Sequence, residues 1–261
     1  MGIKKDIDLS KPVEKTVDTG LKLTTDLLEK PVSTIGNFLD GLFGIPADAI
    51  NTLREMLKTK QEANLQILRE KTKRKAMLIS KNDMCEPDFQ TASIALENAK
   101  YCDAEELQEL FANLLSNSMN ANKRMDVHPA FSEIIKQMSP RDARNLKLFK
   151  NADGLPISQY RVRNEDGSYD ILMSNVFLGE IGEDIDLTAQ SASITNLQRL
   201  GMLEVTYHSQ FANSEKYDEA EALLQTLFSD EIKPNEQREM KNGIVRKTPL
   251  GEKFVNVCIE N

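Results

Sequence analysis

The stretch Asn196–Val205, NLQRLGMLEV, decides how the second half of the chain is read. Ile194, Leu197 and Leu200 fall on one helical face. Gly201 stands just past the last apolar residue, where a helix commonly ends in a left-handed turn that only glycine adopts freely. Beyond it MLEVTYHS (202–209) alternates and is β-branched, which reads as a strand. Forward from there, a polar insert carries an amphipathic helix near Ala220 to Phe228. Asn242-Gly243 marks a tight turn and IVRKT (244–248) returns. Thr248 then caps a short helix begun by Pro249, before an apolar run to Ile259. Backward, Leu187–Leu200 is a helix. LPISQYRV (155–162) and YDIL (169–172) are strand-like about the turn NEDGS (164–168), and MSNVFLGEIG (173–182) reads as a short helix.

This order of helix, sharp glycine turn, strand, long excursion and returning VRKTPLGEKFVNVC (245–258) resembles a winged-helix domain. Such domains often lay the helix in the DNA major groove, and phosphate contacts need Lys or Arg. Between Asp166 and Leu200 the lone basic residue is Arg199, against Asp166, Asp170, Glu180, Glu183, Asp184 and Asp186. That charge repels DNA, so a protein-contact or packing role is expected and nucleic acid is disfavoured as a partner. A DNA-binding regulator, the alternative, would use the wing residues Arg246 and Lys247.

Upstream the pattern is helical. A long helix is expected from about Ala47 to Ser80, with Ile50, Leu53, Met56 and Leu57 on one side and Ile67 and Leu68 further on. Pro87 opens another, with Phe89, Ala92, Leu96 and Ala99 along one face. Asp103 looks like an N-cap with Glu106 three residues on, ahead of Leu107, Leu110, Phe111, Leu114 and Leu115. His128 and Pro129 begin a helix that buries Phe131, Ile134, Ile135 and Met138. Ser139-Pro140-Arg141-Asp142 starts the next as N-cap, N1 and N3.

Lys and Arg number 33 against 41 Asp and Glu, a net charge of −8. Within this acidic chain the run Lys71, Lys73, Arg74 and Lys75 is the strongest basic cluster. Ahead of it, Ile35, Phe38, Leu39, Leu42 and Phe43 fall at i, i+3, i+4, i+7 and i+8. The default expectation is a helical hairpin that packs on later helices. The functional expectation is a membrane or partner contact, with the basic run favouring an anionic lipid surface. Self-association as a homo-oligomer, through the charged long helix, is a further option. MGIKKDIDLS lacks the apolar run of a secretory signal, and no stretch reaches the length of a membrane-spanning helix. The chain therefore reads as cytoplasmic, with reduced Cys85, Cys102 and Cys258 and an option of peripheral membrane association.

A reaction centre is not legible. HExxH, the Walker A loop, GxGxxG and GxSxG are all missing. His128 and His208 are the chain's two histidines. No catalytic residue, metal or cofactor is expected, although abundant carboxylates leave a metal-dependent nuclease-type effector as another alternative. Asn113, Asn117 and His128 are the polar residues to inspect for a cleft.

ASIALENAKYCDAEELQELFANLLSNSMN (92–120) and VHPAFSEIIKQMSPRDARNL (127–146), with SASITNLQRLGMLEV (191–205), resemble the Abi-alpha (abortive infection alpha) family of bacteria and prophages. The resemblance implies a role in antiphage defence, in which the infected cell arrests or dies before phage release. It carries no catalytic residues over. The expected fold is mainly α: an arm and short helix at 1–34, a helical domain at 35–138 and a winged-helix-like α/β module at 139–261. The expected function is a non-enzymatic effector or sensor that acts on a protein partner or phage component.

Overall fold

The structure, a computed structural model, describes residues 47–164, 166–179, 186–228 and 237–259. Ile35, Phe38, Leu39, Leu42 and Phe43 lie outside the described residues. The chain divides into two units, 1–61 and 62–261. Of the first, the described part is helical.

The long helix α1 spans Ala47–Ala76. Beyond residue 61 it buries Leu68 and half-buries Leu65, while Ile67 faces solvent. Next come α2 (Phe89–Ala99), α3 (Glu105–Ser118), a 3-10 turn (Arg124–Asp126), α4 (Phe131–Lys136) and α5 (Pro140–Lys147). Helix α2 begins at Phe89, two residues after Pro87, and Asp88 caps it: its carboxylate accepts from the N–H and hydroxyl of Thr91. This phase buries Thr91, Ala95, Asn98 and Ala99 and turns Phe89 and Leu96 outward, contrary to the expected stripe. The capping residue of α3 is Ala104; Asp103 instead accepts from Asn64 Nδ2 at 2.9 Å. At α5 the capping box forms as the sequence requires. Ser139 Oγ accepts from Asp142 N, and Asp142 accepts from Ser139 N.

The chain then builds β1 (Leu155–Arg163), β2 (Tyr169–Val176), α6 (Leu187–Arg199), β3 (Leu203–Thr206), α7 (Glu215–Leu227), β4 (Gln237–Lys247) and α8 (Pro249–Phe254). A π-helical turn follows, Val255–Ile259. The four strands form one antiparallel sheet in the order β2-β1-β4-β3. A four-stranded antiparallel sheet stands beside the helices, so the fold is mixed α/β and the expectation of a mainly α protein is overturned. Two misread segments account for much of the error. MSNV continues β2 instead of opening a helix, and Asn242-Gly243 lies inside β4. Gly243 has no turn to make there. Its missing Cβ lets the end of β3 pass close by, since a Cβ would sit 2.4 Å from Thr206 O and 2.7 Å from the Tyr207 ring.

Gly201 has φ +72° and joins α6 to β3 as expected. Thr248 Oγ1 accepts from Gly251 N and caps α8. Most of the core is one cluster that runs from Leu68 through α2–α5 to Phe254, Val255, Val257, Cys258 and Ile259. A smaller one, with Tyr160, Val176, Leu187, Ala220 and Leu224, lies where α7 covers β1. The tail therefore packs on α3, which places the end of the described chain beside the residues that follow.

Candidate functional site

Helix α3 organises this region. Leu107, Leu110, Phe111, Leu114 and Leu115 bury one side of it. Asn113 and Asn117, four residues apart and so on one face, point at the C-terminal turn. Asn113 Nδ2 donates to Cys258 O at 2.6 Å and Asn117 Nδ2 to Val257 O at 2.7 Å. The last carbonyls of a helical segment have no partner within it, and these two amides meet that need.

The outer side of α3 carries Glu105, Glu106 and Glu109. Lys71 and Lys75, again four apart, reach them from α1. Lys71 Nζ lies 3.3 Å from Glu105 and 3.1 Å from Glu109, and Lys75 also pairs with Glu109. Arg144 of α5 pairs with Glu106. Burial pulls the Glu109 carboxyl upward, but the ammonium groups of Lys75 and Lys71 outweigh it and hold it below the usual carboxylate value. Burial likewise pulls Lys71 down, and Glu109 and Glu105 carry it above the usual lysine value. For Glu106 the hydrogen bond from its own backbone N–H comes first, ahead of Arg144, in holding it low.

The basic run is thus divided by helical periodicity. Lys71 and Lys75 turn inward to carboxylates, while Lys73 and Arg74 face solvent. Beneath the ion pairs is a cavity of about 170 Å³ lined by Glu106, Glu109, Leu110, Asn113, Ala143, Arg144, Lys147 and Ile259. Of the three polar residues chosen for inspection, Asn113 and Asn117 come together on the tail and Asn113 lines this cavity. His128 does not. It is exposed, and its Nδ1 accepts from Ala130 N at 3.1 Å. The sequence pattern gave Glu106 only a capping role and did not single out Glu109, Arg144 or Lys147; Glu106 instead pairs with Arg144. The matched i, i+4 spacings Lys71/Lys75 and Glu105/Glu109 were a signal that could have found Glu109.

A second feature lies where the connection after α1 meets the connection after α3. Cys85 N donates to Met119 O, Ala121 N donates to Asp83 O, and Met84 bridges Asn120. Met77, Leu78, Met84, Phe89 and Met125 are exposed on or beside these two segments, Phe89 at 85% and Met125 at 87%. On the sheet side, Lys247 Nζ donates to Phe149 O at 2.8 Å and Arg199 bonds Gln137 and Asn196. Arg246 is exposed. Burial pushes the Cys258 thiol well above its usual value, which leaves it protonated and inert near neutrality. Among the described residues no group of three or more His, Cys, Asp and Glu gathers in a way that could hold a metal ion, and no helix is long and apolar enough to cross a membrane.

The model of the family described as abortive infection alpha matches residues 60–258, which takes in α2 through the C-terminal turn and the last half of α1. The chain belongs to the abortive infection alpha family. The ion-paired face of α3, the exposed apolar segments and the cavity lining apart from Ile259 fall inside the matched region of this Abi-alpha chain. No curated protein matches it. A solved structure of an uncharacterized protein from the hydrocarbon-degrading marine bacterium Alcanivorax borkumensis SK2 is similar at 15% identity, over 52% of this chain and 94% of that one. Its TM-score is 0.30, too low to carry an argument.

Proposed function

We propose that this protein serves abortive infection as a non-enzymatic effector or sensor, acting through contact with a protein of phage or host. Family membership supports the defence role. The observation that carries the mode of action is the group of exposed apolar side chains at the paired connections: Met77, Leu78, Met84, Phe89 and Met125. Exposed groups of large apolar side chains are a mark of protein interaction sites. Three of the five are Met, whose unbranched, polarisable side chain adapts to differently shaped partners. Phe89 supplies a rigid anchor, and aromatic anchors carry much of the binding energy of protein interfaces.

The test is phage protection in cells that express the Phe89→Asp, Met125→Asp double variant. Both side chains are exposed, so the folded state keeps its thermal midpoint within a few degrees. Protection falls to the level of cells without the protein if these residues form the contact. Full protection by a folded, normally expressed double variant overturns the reading.

A further inference from the structure

The exposed apolar surface at the paired connections is rich in one oxidisable side chain. Met77, Met84 and Met125 are all exposed, Met77 at 72% and Met125 at 87%. Met77 follows the end of α1, Met84 bridges Asn120, and Met125 lies in the 3-10 turn a few residues further on. Two backbone bonds hold these segments together, Cys85 N to Met119 O and Ala121 N to Asp83 O. Elsewhere methionine is sheltered. Met138 and Met202 are buried in the main core, and Met119, Met173 and Met240 are half-buried. Met56 on α1 is the other exposed methionine among the described residues. Oxidation of a thioether follows its solvent access, so the two groups differ in reactivity without any change of fold. Burial pushes the Cys102 and Cys258 thiols up, which keeps them protonated and slow toward peroxide.

We propose that Met77, Met84 and Met125 form a modification site, where oxidation by hydrogen peroxide turns the contact surface from apolar to polar and switches it off. In each residue a sulfur lone pair attacks one peroxide oxygen. The O–O bond breaks as the S–O bond forms, and the proton on the transferred oxygen passes to the departing hydroxide, which leaves as water. The sulfur loses two electrons and the peroxide gains them. The product is a sulfoxide, a polar and chiral group. Three of the five large side chains of the surface change in this way, and Leu78 and Phe89 stay apolar. Each sulfoxide brings an acceptor oxygen into an interface built for thioethers, and an unmatched acceptor there weakens binding about tenfold or more. Methionine sulfoxide reductases reverse the change, with two thiols oxidised to a disulfide and water released, so the site is a switch and not only a lesion. The loss of contact rests on the proposed function of this surface; the place of oxidation does not.

The experiment first treats the folded full chain with hydrogen peroxide and maps the added oxygen on each methionine by peptide mass spectrometry. Met77, Met84 and Met125 oxidise at least about tenfold faster than Met138 and Met202, whose sulfurs are shielded. Equal rates in the folded chain overturn the site. Cells that lack methionine sulfoxide reductases then receive the same oxidant. They carry either the Cys85→Ser chain, which removes the half-buried thiol beside Met84, or that chain with Met77→Leu, Met84→Leu and Met125→Leu. Leucine keeps volume and apolar character at these exposed positions, so the fold stays. Peroxide lowers phage protection by the first chain about tenfold or more, and the leucine chain stays protective although its Met56 still oxidises. Restoring the reductases returns protection to the first chain. Protection that persists with the three sulfoxides present overturns the switch, as does a loss that the reductases do not reverse, or an equal loss with the leucine chain. A failed contact shows without peroxide, as full protection by the Phe89→Asp, Met125→Asp chain, whereas a failed switch shows only with it.

Discussion

Single side chains at the seam between α3 and the tail carry contacts that nothing nearby replaces. Asn117 is 7% exposed and its amide meets Val257 O. Asn117→Ala removes the donor and leaves a buried carbonyl unmet, so urea denaturation should show a loss of about 1–3 kcal/mol. A larger effect is expected at Gly251. A Cβ there would lie 2.0 Å from Met202 O, which is backbone and cannot swing aside. Gly251→Ala should therefore destabilise by about 3 kcal/mol, at the upper end for overpacking, read in the same denaturation experiment. These residues also show what a sequence can disclose. Asn113 and Asn117 stand out as polar positions in an apolar helix, but their partners lie some 140 residues away, at separations of 145 and 140, and no local pattern points there. Gly243 was misread for a related reason. Asn-Gly is a turn signal when only neighbours are considered, and here a distant strand end decides the matter.

At the scale of elements, local chemistry was legible where a helix end satisfies itself. Ser139-Pro140-Arg141-Asp142 forms its capping box, Thr248-Pro249 starts α8, and Gly201 ends α6. Where a cap can bond elsewhere, the local reading fails, as at Asp103, whose carboxylate goes to Asn64. Ser139→Ala should cost about 1 kcal/mol, seen as a lower thermal midpoint. Strand content was less legible, because β2 draws its partners from β1 and its burial pattern lacks clean alternation. The seam between α1 and α3 gives a pH prediction. The Glu109 carboxyl is held below its ordinary value, so its contribution is present above that value and is lost as pH falls through the folded one. Lys71 is held above its ordinary value, so its share is present below that value and lost as pH rises through the folded one. The stability difference between the native chain and Glu109→Gln should be flat near neutrality and vanish in acid. It should not exceed about 1 kcal/mol, because the Glu109 side chain is 36% exposed and solvent screens the pair.

Over the whole of residues 62–261, the question is whether the helices and the sheet unfold together. The main cluster draws on α1, α2, α3, α4 and α5, on β1, β3 and β4, and on the tail. Phe254 is 0% exposed and meets Phe131 edge-on, with ring centroids 5.1 Å apart. One ring belongs to the helix after the sheet and the other to the helical layer, so their contact joins the two halves. Packing of this density does not yield on one side only. The expectation is a single transition in which the far-UV helical signal coincides with the near-UV signal of Tyr160, Tyr207 and Tyr217, which sit in or beside the sheet. Phe254→Ala should remove about 3–5 kcal/mol and move both signals to the same lower midpoint. If the variant instead loses the tyrosine signal first and keeps helix at higher denaturant, the helices are stable without the tail. The asparagine bonds to Val257 and Cys258 would then be late, local attachments, and not part of what holds the fold together.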